Sequence, residues 1–150
     1  MADRKFKSNL NPMQNDLSYA LASAHRKVTA SLNACVKKHG VQVEAWRVIE
    51  VLESGQRLTM RELAEAVLMN PPTLTKLIDR MVSKGLVHRQ ISRQDSRQIY
   101  VLPTELGRKK MMQVRQDVED QNAVLLRDFG PGEAEKMIQL LNGLSDQSAL

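Results

Sequence analysis

The chain has one cysteine, Cys35, so no intrachain disulfide framework can staple it. No apolar run approaches the roughly 18 residues that span a bilayer, so no membrane contact is expected. The N-terminus, MADRKFKSNLNPMQ, carries charge with no apolar core behind it. That is not a secretory signal, and a cytoplasmic chain is expected. The histidines His25, His39 and His88 have no metal-ligand spacing, and one cysteine adds no ligand pair, so no metal site is expected. There is no glycine-rich phosphate loop, no nucleophile–base pair and no paired carboxylates in a recognisable setting. The acidic stretch Asp117, Glu119, Asp120 reads as the solvated side of a charged helix. These absences argue against an enzyme and against a cofactor.

What is there is an ordinary globular composition, 42% hydrophobic over 150 residues, with a net charge of +5. One domain of this length can bury a core. A basic balance hints at a polyanionic partner, and its placement says more than its size. Residues 1–39 hold seven Lys/Arg against two Asp, and residues 71–97 hold six basic against two acidic residues. The segments 40–70 and 98–150 each carry a small acidic excess, three basic against five acidic and six against eight.

The second basic stretch, 70–97, reads as a short helix running into a β-ribbon. Asn70 is a good N-cap, and Pro71 suits the first helical position. Leu74, Leu77, Ile78 and Met81 fall on one face at helical spacing. Pro72, Thr73, Lys76, Asp79, Arg80 and Ser83 fall on the other, with Thr75 on its flank. Asp79 would repel phosphate and is expected to pair with a basic neighbour. Gly85 ends the helix. Two alternating segments follow, 86–92 and 98–102, around a turn made of Arg93, Gln94, Asp95, Ser96 and Arg97.

Around this stretch the pattern is helical. A first helix is expected over 12–39, with a stripe of Leu17, Leu21, Ala24, Val28, Leu32 and Cys35. A second covers 44–53 and buries Trp46, Ile49 and Leu52. Residues 57–59 suggest a very short strand. The run Thr59-Met60-Arg61-Glu62 is a capping box that opens a third helix over 60–68, burying Leu63, Ala64, Val67 and Leu68. Its tight connection to the next helix makes a helix-turn-helix. Thr104 caps a long fifth helix reaching about residue 129, with apolar positions at Leu106, Met111, Val114, Val118, Val124 and Leu125. Gly130, Pro131 and Gly132 break it, and a last helix over 133–146 carries Ala134, Met137, Ile138, Leu141 and Leu144. Residues 1–11, with Arg4, Lys5 and Lys7, are expected to form a loose arm. The outer helices have more apolar stripe than a domain of about 60 residues can cover, and a second copy of the chain is the simplest cover.

These residues carry a resemblance to the MarR family, the multiple-antibiotic-resistance regulators. It rests on Leu58-Thr59 before Glu62-Leu63-Ala64, then Thr75 and Asp79-Arg80, then Lys84-Gly85-Leu86-Val87, then Asp95 and Arg97, then Thr104-Glu105 and Gly107. The resemblance implies a mainly α (α+β) chain, a winged helix-turn-helix at 41–103 with long N- and C-terminal dimerisation helices at 12–39 and 104–147. It implies a homodimeric, sequence-specific transcriptional regulator of double-stranded DNA, most often a repressor, reading a pseudo-palindromic operator. The helix at 71–84 would enter the major groove and the wing at 93–97 the minor groove. Arg97 would be the minor-groove arginine and Asp95 the carboxylate that orients its guanidinium. The resemblance also implies a small aromatic or anionic effector, bound among the first, second and fifth helices. His25, Trp46 and Arg47 are the candidates there, with Arg47 able to pair with a carboxylate. Two positions depart from the family pattern. Pro103 replaces a leucine before the capping threonine and is expected to leave the last ladder bond unmade. Ala45 replaces a glutamine before the aromatic residue of the second helix.

The residues themselves give the DNA contacts their chemistry. Lys76 and Arg80, one turn apart, can meet phosphates or guanine edges, Thr73 and Thr75 a phosphate or a thymine methyl, and Pro72 an apolar surface. Arg93 and Arg97 suit a narrow minor groove. Two alternatives stay open. One is a winged-helix protein–protein module that binds no DNA. The other is a regulator that senses oxidants through Cys35, near Lys37 and Lys38, although a free cysteine on an apolar stripe more often behaves as a small hydrophobe.

Overall fold

The computed structural model describes residues 11–147, and the arm expected at 1–11 lies outside them except for Asn11. The first helix is not one continuous piece. Asn11 accepts the Met13 N–H at 2.9 Å and caps a 3-10 turn, Pro12–Asn15. Asp16 is extended, accepts the Tyr19 N–H at 2.9 Å, and starts α1, Leu17–Val36. The cap carboxylate bonds an amide that a continuous helix would have given to a carbonyl, so the chain restarts there. A second 3-10 turn, Lys37–His39, ends at Gly40 with φ 69°. Of the expected stripe only Leu32 is buried, joined by Val36, while Leu17, Leu21 and Val28 are exposed. Cys35 is half-buried, and its thiol donates to the Asp117 carbonyl at 3.4 Å.

Helix α2, Val43–Leu52, turns Val43, Ala45, Val48, Ile49 and Leu52 inward, with Trp46 only half-buried. Helix α3, Met60–Ala66, opens on the expected capping box. Thr59 Oγ1 accepts the Glu62 N–H, and Glu62 Oε2 accepts the Thr59 N–H at 2.7 Å. The helix ends earlier than expected. The Leu68 N–H bonds the Glu65 carbonyl at 3.3 Å and the Met69 N–H bonds the Ala64 carbonyl at 2.9 Å, a Schellman ending with Leu68 at φ 60°. That left-handed step throws Leu68 outward, so the expected core residue is 86% exposed; Val67 is buried as expected, and Met69 packs against the core in place of Leu68.

Helix α4, Pro71–Ser83, begins at Asn70, whose side chain accepts the Thr73 N–H at 2.9 Å. Leu74, Leu77, Ile78 and Met81 are all buried. Gly85 makes the same Schellman ending at φ 71°, with its N–H on Val82 O and the Leu86 N–H on Met81 O. Strands β1, Val87–Ile91, and β2, Ile99–Pro103, pair antiparallel, from Val87 opposite Pro103 to Ile91 opposite Ile99. The expected short strand at 57–59 is a single bridge, Thr59 to Tyr100. Pro103 loses no ladder bond. The Thr104 N–H bonds Leu86 O at 3.0 Å and the Ser92 N–H bonds Gln98 O at 2.9 Å. Bonded pairs alternate along an antiparallel ladder, which leaves the Val87–Pro103 pair at a position that needs no N–H.

Helix α5, Glu105–Leu126, is capped by Thr104 and packs on α1 and α2 through Met111, Val114 and Val118. Leu106 and Val124, expected inward, are exposed. Helix α6, Glu133–Ser145, buries none of its residues. One hydrophobic cluster joins the end of α1 to α2, α3, α4, the base of the wing and the first half of α5. Among the described residues no helix is long and apolar enough to cross a membrane.

Candidate nucleic-acid interface

Burying Leu74, Leu77, Ile78 and Met81 forces the opposite face of α4 outward. Pro72, Thr73, Lys76, Asp79, Arg80 and Ser83 are exposed along it, with Thr75 beside them. The start of α4 offers no spare backbone donor. Pro71 and Pro72 have no N–H, and the Thr73 N–H is held by Asn70. An anion on this face must therefore be met by side chains. The Thr75 hydroxyl donates to Pro71 O at 3.0 Å, which leaves its methyl and lone pairs for an outside partner. Lys76 and Arg80 have no acidic partner among the described residues.

Asp79 has one. It pairs with Arg89 of β1, so the one carboxylate on the face is taken up by the wing. The pair ties α4 to the ribbon, fixing the distance between the two elements. The sequence flagged Asp79 as needing a cation but not which one. Arg89 lies ten residues away on a strand, and only the return of the chain through Gly85 brings it back. Lys84 is also committed, donating to Gly40 O at 2.8 Å.

The wing tip is a hydrogen-bonded turn. Ser92 Oγ accepts the Gln94 and Asp95 N–H groups at 3.2 and 3.3 Å. Asp95 Oδ1 accepts the Arg97 backbone N–H at 3.0 Å, and its carbonyl takes the Gln98 N–H at 3.0 Å. Asp95 thus shapes the backbone that carries Arg97. No ion pair joins it to the Arg97 guanidinium among the described residues. Arg93 and Arg97 are exposed on either side of this turn. The cations of α4 and those of the wing tip together form an electropositive surface on a rigid frame, suited to a phosphate backbone.

None of the clefts described here is lined by the expected effector candidates. His25 is exposed on α1, with Nδ1 3.4 Å from Thr29 Oγ1. Trp46 Nε1 donates to Glu50 at 3.1 Å. Glu50 also accepts Arg115 Nε at 2.8 Å, and Glu53 accepts Arg115 Nη2 at 2.8 Å, so this cluster straps α2 to α5. The bonds to Glu50 and then Glu53 hold the Arg115 guanidinium above its ordinary range. Arg47 is half-buried. A cleft of 710 Å³ lies elsewhere, between the end of α1, the start of α2 and the flank of α4. Its wall includes Asn33, Lys37, Glu44, Thr73, Leu77 and Arg80, and none of His25, Trp46 or Arg47. A smaller cleft of 220 Å³ adjoins it, shares Lys37 and Arg80, and adds Lys84. Arg80 therefore faces both the reading surface and the cleft, which its place on α4 did not announce.

Asp117, expected as solvated surface, is a tie point. His39 Nε2 lies 2.5 Å and Lys38 Nζ 3.0 Å from its Oδ2. An ionised carboxylate only accepts, so His39 carries its proton on Nε2. The bonds from His39 and then Lys38 hold the Asp117 carboxyl below its usual range, and the bond to Asp117 raises Lys38. The link fastens the α1–α2 turn to α5.

A model of the MarR family matches residues 39–98. The homoprotocatechuate degradative operon repressor of Escherichia coli is 28% identical over 138 residues, spanning 92% of this chain and 91% of that one. The crystal structure of transcriptional regulator PA4135 superposes with a TM-score of 0.81 at 25% identity, covering 89% of this chain and 98% of that one. The transcriptional repressor CouR, bound to a 23-mer DNA duplex, has the same fold, with a TM-score of 0.81 at 21% identity over 86% of this chain and 92% of that one.

Proposed function

We propose that this chain, whose residues 39–98 match a MarR family model, is a winged helix-turn-helix transcriptional regulator of that family and works as a homodimeric repressor whose hold on DNA is set by a small anionic or aromatic effector. The family is one of DNA-binding regulators rather than enzymes. The observation that carries the reading is the reading face itself. Among the described residues Lys76, Arg80, Arg93 and Arg97 stand exposed without acidic partners, while the nearby Asp79 is neutralised by Arg89. Two such faces about one helical turn apart fit a pseudo-palindromic operator in the cytoplasm.

A second copy is supported by what the single chain leaves uncovered. Leu17 and Leu21 of α1, Phe129, and Ile138, Leu140, Leu141 and Leu144 of α6 are all exposed. An apolar surface of that extent marks an interface. The effector reading is supported by the 710 Å³ cleft, whose size suits a small ligand, and by Lys37 and Arg80 on its wall. An anion held there would engage Arg80 and draw it from the DNA.

Binding to a duplex selected from a random pool, compared with a scrambled duplex at fixed salt, tests this function. A specific regulator prefers the selected site by about a thousandfold or more and weakens steeply with salt. Equal affinity for both duplexes would sink the proposal.

A further inference from the structure

Arg57 has no role in the reading surface described so far, yet the fold sets it beside the wing. The single bridge from Thr59 to Tyr100 pins the loop before α3 against β2. The result is a cleft of 580 Å³ on the side of the wing, lined by Arg57, Gln90, Ser92, Arg93, Gln94 and Tyr100 together with Ile91. Gln90 and Tyr100 are opposite each other in the ladder and so project from one face of the ribbon. Among the described residues no carboxylate lines the cleft. Neither guanidinium has an acidic partner among the described residues. Ser92 Oγ accepts two backbone N–H groups, so its own hydroxyl proton is left to donate outward.

Two uncompensated guanidiniums on one opening, with hydroxyl and amide donors between them, fit an oxyanion with several acceptor oxygens. The opening is shared with Arg93 at the wing tip, so the anion must arrive beside whatever the tip contacts. We propose that Arg57 and Arg93 clamp a backbone phosphate of the operator, on the flank of the minor groove that the tip enters. The clamp rests on the DNA-binding reading above. It gives the loop before α3 a place in the footprint and makes recognition depend on DNA beyond the bases that the helix and wing can touch.

The test uses the full chain and a labelled duplex that the parent has selected from a random pool. Arg57 is exposed and makes no side-chain bond among the described residues, so Arg57→Ala should fold normally. It should bind the duplex several-fold more weakly. The slope of log affinity against log salt should fall by about 0.9 for each lost phosphate contact, so by about 1.8 per dimer. Hydroxyl-radical protection of the flanks should disappear, and Arg57→Lys should keep most of the slope. Unchanged slope and flank protection in Arg57→Ala, with a parent that still discriminates selected from scrambled duplex, would overturn the clamp and leave the regulator standing. A parent that does not discriminate would overturn both. A thermal shift by inorganic phosphate alone, lost in Arg57→Ala, would mark a free-anion site and overturn the duplex assignment.

Discussion

Replacing Gly107 by alanine tests how closely the wing is locked to α5. Gly107 sits in the first turn of that helix, its N–H donating to Thr104 Oγ1 at 3.0 Å. A Cβ placed there would lie 2.1 Å from Leu86 O and 3.0 Å from Leu86 C. The obstacle is backbone, and it is held from several sides. Leu86 O accepts the Thr104 N–H at 3.0 Å, the Leu86 N–H bonds Met81 O at 2.9 Å, and the Leu86 side chain is buried. The start of β1 and α5 must therefore part by about 1 Å, an overpacking that costs roughly 3 kcal/mol when nothing flexible can yield. Straining the Thr104–Leu86 bond adds about 1 kcal/mol. Against this, alanine in a helix gains about 1 kcal/mol over glycine. The net loss is about 3 kcal/mol. For a chain of this length that lowers Tm by roughly 6–12 °C. Thermal unfolding followed by circular dichroism at fixed protein concentration reads it. Operator affinity should fall as well, because the wing moves relative to the recognition helix. A Tm equal to or above that of the parent would refute the reasoning.

Lys76→Ala and Arg97→Ala should each weaken binding to the selected duplex, by roughly 1–3 kcal/mol where a bidentate base contact is lost, with the elution volume of the folded protein unchanged. If both bind as tightly as the parent at fixed salt, the reading face is misassigned. Asp117→Asn should lower stability at neutral pH. The Asp117 carboxyl sits below the ordinary carboxylate value of 3.8 in the folded chain, so its contribution is full above that value and fades as pH falls through and below it. The difference in Tm between parent and Asp117→Asn should be level above about pH 5 and shrink below about pH 4; a difference that grows on acidification contradicts the pairing with His39 and Lys38. Leu68→Gly should raise Tm slightly. A left-handed leucine costs roughly 1–2 kcal/mol, glycine's extra freedom costs about 0.5–1 kcal/mol, and an 86% exposed side chain gives up little burial. A fall in Tm would show that Leu68 is held by something outside its own chain.

Local chemistry made much of the fold legible. The caps at Asn70, Thr59 and Thr104 and the stops at Gly40 and Gly85 act within a few residues of themselves, and each stands where the sequence puts it. The inward face of α4 follows from spacing alone. Asp16 and Leu68 were harder to read. A carboxylate inside a helical pattern and a leucine in a glycine's conformation are both local choices that apolar periodicity does not register. The ties Asp79–Arg89, His39–Asp117 and Arg115–Glu50 join residues on different elements, and spacing along the chain carries no trace of them. The cleft was not legible for a related reason: Trp46 and Arg47 were placed by an expected pocket among α1, α2 and α5, whereas the 710 Å³ cleft is lined from the end of α1, the start of α2 and α4.

Helix α6 has no buried residue of its own, and the first half of α1 shares that condition. A segment without a core holds its shape only while something else covers it. In the homodimer proposed above, that cover would be supplied by mass action. When the protein is scarce, α6 is the part that opens to solvent and to proteases; when it is abundant, α6 is shielded. On that proposal the abundance of the protein would enter its own lifetime. Amide exchange in α6 should slow as the protein is concentrated, while the amides of α4, seated on the core of a single chain, keep nearly the same rate.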